Sequence, residues 1–276
     1  MIKVTSELKY ALMLILVCMC AACSPSQPVE SSKPLKSYQN TGCGIAQKGT
    51  GSFVPMKIRV LDQNRTYHLR IPSTYDPNRK YPLIFRWHGA GGNGLSGGLG
   101  IELSARDDAI IVGADGLNNF WDVFSADSVD LHFFDNMLET ISNQYCIDGK
   151  RIFSYGFSVG GSFSNLLACQ RGDVLRASAA VASGLFSNTC RGKVATWLLH
   201  DADDEAVPIA KGKAVRERTI AANGCSTSIV DEGNGCVRYQ GCDATPVVWC
   251  ESKGIGHNIR GDFAPALVWK FFQSFE

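Results

Sequence analysis

In Arg151-Ile152-Phe153-Ser154-Tyr155-Gly156-Phe157-Ser158-Val159-Gly160-Gly161-Ser162-Phe163-Ser164-Asn165-Leu166-Leu167-Ala168-Cys169, an apolar run, a serine bracketed by glycines and a helix-like run follow one another without a break. Residues 151–155 are too few for a helix and read as a buried strand, while 161–169 read as a helix. Between them stands Gly156-Phe157-Ser158-Val159-Gly160, a G-x-S-x-G pentapeptide. Strand, sharp turn and helix in that order push a serine hydroxyl out at the edge of a sheet, and the flanking glycines avoid clashes in the turn. The helix N-terminus behind the serine favours negative charge developing there. The chain holds 28 glycines, so the pentapeptide alone would also fit a plain glycine turn with an inert serine. The strand before it and the helix after it single out Ser158 as a nucleophile.

The same alternation extends in both directions. Residues 53–60 and 66–71 are β-like runs, followed by the turn-rich Pro72-Ser73-Thr74-Tyr75-Asp76-Pro77-Asn78. Short apolar runs at 82–87, 109–113, 177–182 and 194–199 have the length of buried parallel strands. Residues 129–145 carry Leu131, Phe134, Leu138 and Ile141 three or four apart, one helical stripe. Residues 208–222 start on a proline and stop before Asn223-Gly224, and 264–275 read as a last amphipathic helix. Strands alternating with helices predict a mostly parallel central sheet with helices on both faces, in a single domain. With the serine turn, that is the α/β-hydrolase fold, whose chemistry lies in loops at the carboxyl ends of the strands.

A serine hydroxyl needs a base, and the base an orienting acid. In this fold they follow the nucleophile in the order acid, then base, which removes His68, His88 and His132. His200 ends the run 194–199 in the acid's slot, so His257 in Gly254-Ile255-Gly256-His257 is the expected base. Four acids crowd the loop after that run: Asp201, Asp203, Asp204 and Glu205. One of them should meet His257, and the others read as a solvated loop face. Two backbone N–H groups must hold the oxyanion. Val159 supplies one, and His88-Gly89-Ala90-Gly91-Gly92, after the run 82–87, supplies the other from Ala90 or Gly91.

The 276 residues suffice for one sizeable core, and the formal net charge of +1 with no basic–aromatic stretch argues against a nucleic-acid partner. Lys3 and Lys9, an apolar stretch over 10–19 and the small residues of Cys20-Ala21-Ala22-Cys23 have the plan of an export signal over 1–22. The segment before Cys23 resembles a bacterial lipobox, although Cys20 stands where leucine is usual. Cys23 is therefore expected as a lipidation site anchoring the chain to a membrane, with ordinary secretion as the alternative. Residues 23–41, rich in Ser, Pro, Gln and Lys, read as a flexible tether. The catalytic domain is expected over 42–276. Removing Cys18, Cys20 and Cys23 from the 11 cysteines leaves eight, an even number suited to disulfides in an exported protein. A local Cys236–Cys242 bridge flanked by Cys225–Cys250 is the expected pairing of the last four. No metal site is expected, since these cysteines lack a C-x-x-C knuckle and a nearby histidine.

These residues resemble the feruloyl and acetylxylan esterases of carbohydrate esterase family 1, together with polyhydroxybutyrate depolymerase-like proteins. The resemblance rests on Gly42-Cys43-Gly44, Arg70-Ile71-Pro72, the His88-Gly89 loop, Trp121, Asp130 with Phe133-Phe134-Asp135, Cys146-Ile147-Asp148 and the Ser158 pentapeptide. It continues in His200-x-x-x-Asp204-x-x-Val207-Pro208, and in Tyr239-Gln240-Gly241-Cys242-Asp243, Val248-Trp249-Cys250-Glu251 and Gly256-His257. The resemblance selects Asp204 as the acid, ahead of Asp203. It departs from the family at Asp201, where relatives commonly have glycine, and at Val159, where many carry phenylalanine. It implies secretion, no organic cofactor, and hydrolysis of esters on plant cell-wall polysaccharide. A feruloyl esterase is the leading expectation. Acetylxylan esterase, polyester depolymerase or short-chain carboxylesterase come next, and a non-catalytic carbohydrate-binding lipoprotein last. A cinnamoyl ring would need a flat apolar slot, expected at Trp121 and Phe120 after the run 109–113. Trp87, Trp197 and Trp249 are expected in the core.

Overall fold

The apolar runs pair into one sheet in the computed structural model, which describes residues 41–275 other than 97, 98, 188 and 243. The expected signal, Cys23 and nearly all of the tether lie outside the described residues. In chain order the strands are β1 (Phe53–Val60), β2 (Gln63–Arg70), β3 (Tyr81–Trp87), β4 (Ile110–Ala114), β5 (Ile147–Phe157), β6 (Ala177–Val181), β7 (Ala195–Asp201), β8 (Ile229–Gly233), β9 (Cys236–Tyr239) and β10 (Val247–Ser252). They lie side by side as β1-β2-β4-β3-β5-β6-β7-β10-β9-β8. The block from β4 to β10 is parallel, and β1–β2 and β9–β8 extend it antiparallel at either side. β3, β4, β6 and β7 are buried at every position, which is why their sequences are continuous apolar runs.

Among the described residues five α-helices cover the faces: α1 (Ile101–Ala105), α2 (Val129–Gln144), α3 (Val159–Gln170), α4 (Ile209–Asn223) and α5 (Ala264–Gln273). Ser128 caps α2 by accepting the Leu131 N–H. The predicted stripe Leu131, Phe134, Leu138 and Ile141 is wholly buried beside Phe163 and Leu166 of α3, against Phe85 and Trp87. On the opposite face Ile101 of α1 and Val268 and Phe272 of α5 pack on Ile84, Phe153 and Trp197. Val215 of α4 meets Leu198 and Trp249. Each such large side chain contributes about 1.5–3 kcal/mol by burial. The three strand tryptophans expected in the core, Trp87, Trp197 and Trp249, are 0–4% exposed.

The disulfides correct the expected pairing. Cys236 in β9 stands directly opposite Cys250 in β10 and bonds to it. Cys242, in the turn beyond β9, reaches Cys225 just after α4. Cys236 and Cys242 are separated by an extended strand, which at about 3.3 Å per residue carries them beyond bridging distance. Cys43–Cys146 and Cys169–Cys190 complete the four bridges among the described residues.

Candidate active site

β5 runs straight into α3, and Ser158 sits at the junction with φ 56 and ψ −126. A positive φ in a non-glycine residue is strained, and strain of this kind persists where surrounding structure enforces it. The enforcement is steric. A Cβ on Gly160 would stand 2.3 Å from the Trp87 carbonyl oxygen, and one on Gly156 2.1 Å from that of Gly160, so only glycine lets helix and strand approach this closely. Phe157 presents its ring to the His257 imidazole, centroids 4.9 Å apart.

His257, beyond β10, and Asp204, beyond β7, reach the serine from neighbouring carboxyl ends of the sheet. His257 Nε2 lies 2.9 Å from Ser158 Oγ, and its Nδ1 2.8 Å from Asp204 Oδ2. Because a carboxylate only accepts, Nδ1 carries the hydrogen and Nε2 is left to accept from the serine hydroxyl. Asp204 is buried, and its other oxygen accepts the N–H groups of Ala206 at 3.0 Å and Val207 at 2.8 Å. His200 is buried against it: Nε2 donates to the Val207 carbonyl at 2.7 Å and is 3.3 Å from Asp204 Oδ2. Of the acids left open by the residue pattern, Asp204 therefore stands at the imidazole. Asp203 turns instead to the Gly254 N–H at 2.9 Å. Asp201, expected on a solvated loop face, is only 4% exposed. This corrects the sequence reading, because its carboxylate is enclosed by the loop that carries His257.

A Cβ on Gly89 would stand 3.5 Å from that of Ser158, which places the glycine loop after β3 beside the serine. The Gly91 N–H already donates to the Asn119 carbonyl at 2.9 Å. Between the two expected donors, Ala90 is thus the one whose N–H has no partner among the described residues. Val159 opens α3, where first-turn N–H groups lack intrahelical acceptors. The loop is braced from below: the His88 carbonyl accepts the Trp121 indole N–H at 3.0 Å, and the His88 ring accepts the Gly116 N–H at 3.0 Å.

That bracing gives Trp121 a different place from the slot expected. It is 0% exposed, stacked on Phe163 at 5.2 Å and edge-on to Trp87, so it supports the glycine loop from within the core. Phe120 remains at the surface, 45% exposed. A second aromatic pair stands at the surface. Phe124, after β4, and Phe186, after β6, are 67% and 43% exposed, yet their rings meet at 5.0 Å. The contact links loops on either side of β5, the strand that leads to Ser158. Isolated phenylalanines in loops give no sequence signal, and only the strand order brings these two together.

No family model matches the chain. Among curated proteins, feruloyl esterase D of Neurospora crassa is 34% identical over 86% of this chain and 90% of its own length. Feruloyl esterase C of Emericella nidulans is 31% identical over 87% and 93%. Among solved structures, the acetyl xylan esterase from Aspergillus awamori superposes with a TM-score of 0.64 at 15% identity, covering 79% of this chain and 99% of that one. A CE1 ferulic acid esterase from Anaeromyces mucronatus gives 0.53 at 16% identity, over 86% and 94%. The two superpositions establish the α/β-hydrolase fold.

Proposed function

The chain belongs to the feruloyl esterases of carbohydrate esterase family 1, a family of carboxylic ester hydrolases, and from that premise we propose that it releases ferulic and related hydroxycinnamic acids from plant cell-wall xylan. The observation that carries the reading is the unbroken hydrogen-bonded line from Asp204 through His257 to Ser158. Ser158 Oγ attacks the ester carbonyl while His257 Nε2 takes its proton, and Asp204 stabilises the imidazolium that results. The N–H groups of Val159 and Ala90 receive the oxyanion, each donor contributing about 2.7–4 kcal/mol in the transition state. Collapse of the tetrahedral intermediate expels the sugar hydroxyl, which takes the proton from His257. Water, deprotonated by the same imidazole, then hydrolyses the acyl-enzyme.

The Phe124–Phe186 pair offers the aromatic surface for a cinnamoyl ring, and ring contacts of this type contribute about 0.5–1.5 kcal/mol beyond burial. Acetylxylan esterase or polyester hydrolase activity would use the same Ser158, His257 and Asp204, so substrate choice separates the readings. Turnover should be highest on methyl ferulate, ahead of acetylated xylan and polyhydroxybutyrate, and Ser158→Ala should lower kcat on the order of 10^6-fold. Phe124→Ala should raise KM for methyl ferulate about 5–10-fold and leave that for 4-nitrophenyl acetate unchanged. A profile favouring acetylated xylan, with Phe124→Ala neutral, removes the feruloyl assignment.

Four disulfides fit an oxidising compartment outside the cytoplasm. An anchor on Cys23 rests on the lipobox resemblance alone. Mass spectrometry of the mature N-terminus decides it, because an unmodified Cys23 leaves the enzyme free of lipid.

A further inference from the structure

β7 and β10 run parallel, Ser252 opposite Asp201, and both strands end at that pair. One chain goes on to Asp204 and the other to His257, so beyond this point the ladder no longer sets the distance between acid and base. The segment after β10 turns away with Gly254 at φ 84 and Gly256 at φ 72. Its N–H groups have left the ladder and need partners.

Two carboxylates from the neighbouring turn provide them. The Gly254 N–H donates to Asp203 Oδ2 at 2.9 Å, the Ile255 N–H to Asp201 Oδ2 at 3.3 Å, and the Gly256 N–H to Asp201 Oδ1 at 3.0 Å. Asp201 Oδ2 also accepts the Ser252 hydroxyl at 2.7 Å, and Oδ1 the Asp203 N–H at 3.0 Å. One buried carboxylate thus holds four donors, three from the end of β10 and the loop after it that carries the base, and one from the loop that carries the acid. Burial opposes its ionisation, but the hydroxyl and the amide donors outweigh burial and hold the carboxyl below its usual range.

We propose that Asp201 is a positioning residue for the reaction, tying the turn that bears His257 to the turn that bears Asp204 so that the imidazole reaches acid and serine at once. The proposal rests on the catalytic reading of Ser158, His257 and Asp204 given above. Asp201 touches none of the reacting atoms and acts through the backbone. A segment bounded by two left-handed glycines has ample conformational freedom once released, and displacement of a reacting group by about 1 Å is enough to lower a rate about 10^2-fold. A carboxylate suits the position because it only accepts. An asparagine there would turn an N–H2 donor toward groups that are themselves donors.

The test compares Asp201→Asn, Ser252→Ala and Ser158→Ala with the native enzyme on 4-nitrophenyl acetate and methyl ferulate, reading kcat and KM separately. Proton NMR follows the low-field imidazole resonance of the His257–Asp204 hydrogen bond. Asp201→Asn should lower kcat about 10- to 100-fold with KM within about twofold of native, and broaden or abolish that resonance. Ser252→Ala, which removes one donor of the four, should lower kcat about threefold or more at unchanged KM, and it carries the test if Asp201→Asn does not fold. Native kcat and an undisturbed resonance in folded Asp201→Asn, or native kcat in Ser252→Ala where Asp201→Asn is unfolded, overturn the proposal. Activity surviving in Ser158→Ala would instead sink the catalytic reading beneath it. An inactive Ser158→Ala beside native turnover in the Asp201 variant sinks only the positioning role.

Discussion

Among the described residues His88 makes no hydrogen bond to Ser158, His257 or Asp204, yet it supports the loop expected to hold the oxyanion. Its Nε2 accepts the Gly116 N–H and its Nδ1 donates to the Gly89 carbonyl at 2.7 Å, so the ring must be neutral to serve both. Burial pushes its pKa below the ordinary histidine value, against the opposite pull of the Gly89 carbonyl and of Asp115 and Asp130. A depressed folded value means that the unfolded chain takes up the proton first as pH falls. The stability held by the neutral ring is therefore intact above about pH 6.5 and lost progressively below it. Melting temperatures between pH 8 and 5 should fall more steeply for the native protein than for His88→Gln, and parallel slopes would contradict this. At this scale the sequence was legible where a residue type has few uses. Ser158, His257 and the His88-Gly89 loop are of that kind. Asp201 was not legible, because three of its four donors come from a segment about fifty residues further along whose proximity only the fold reveals. Trp121 was misplaced for a related reason: a loop indole can face substrate or core, and nothing local distinguishes the two.

The loop between β4 and α2 shows how an element is held for function. Arg65 of β2 meets Asp130, in the first turn of α2, at 2.7 Å, with both side chains at most 2% exposed. The other Asp130 oxygen accepts the Asp122 N–H at 2.8 Å, which fixes the chain between Trp121 and Phe124. The Arg65 guanidinium also lies over the Phe133 ring at 4.1 Å. Removing one partner of such a pair leaves an uncompensated buried charge. Asp130→Asn should therefore lower unfolding stability by about 3–5 kcal/mol in denaturant titrations, and a loss under about 1 kcal/mol would refute this account of the loop. Elements were readable from sequence in proportion to their burial. β3, β6 and β7 are buried throughout and announce themselves as apolar runs, and α2 shows its stripe. β8 is exposed at all five positions and carries no pattern, so the β8–β9 hairpin was missed, although Asn234-Gly235 at its turn is a hairpin signal. α1, five residues long, is too short for periodicity to register.

For the whole molecule, the parallel strands gather the ends of β3, β5, β7 and β10 along one edge, which brings Ala90, Ser158, Asp204 and His257, 46 to 167 positions apart in the chain, to neighbouring loops. That Ser158, Asp204 and His257 would meet could be read from the sequence, because topology constrains the order in which the loops arrive. Disulfide pairing could not, because it depends on strand register: Cys236 and Cys250 are partners only because β9 and β10 pair in one particular alignment. The proposed reaction requires that Ser158, activated by His257, become acylated during turnover. Mass spectrometry of the protein quenched during hydrolysis of 4-nitrophenyl ferulate tests it most directly. A feruloyl adduct is expected on the peptide that contains Ser158, absent from Ser158→Ala and formed far more slowly in His257→Ala. An adduct on another residue, or undiminished hydrolysis by Ser158→Ala, would contradict it.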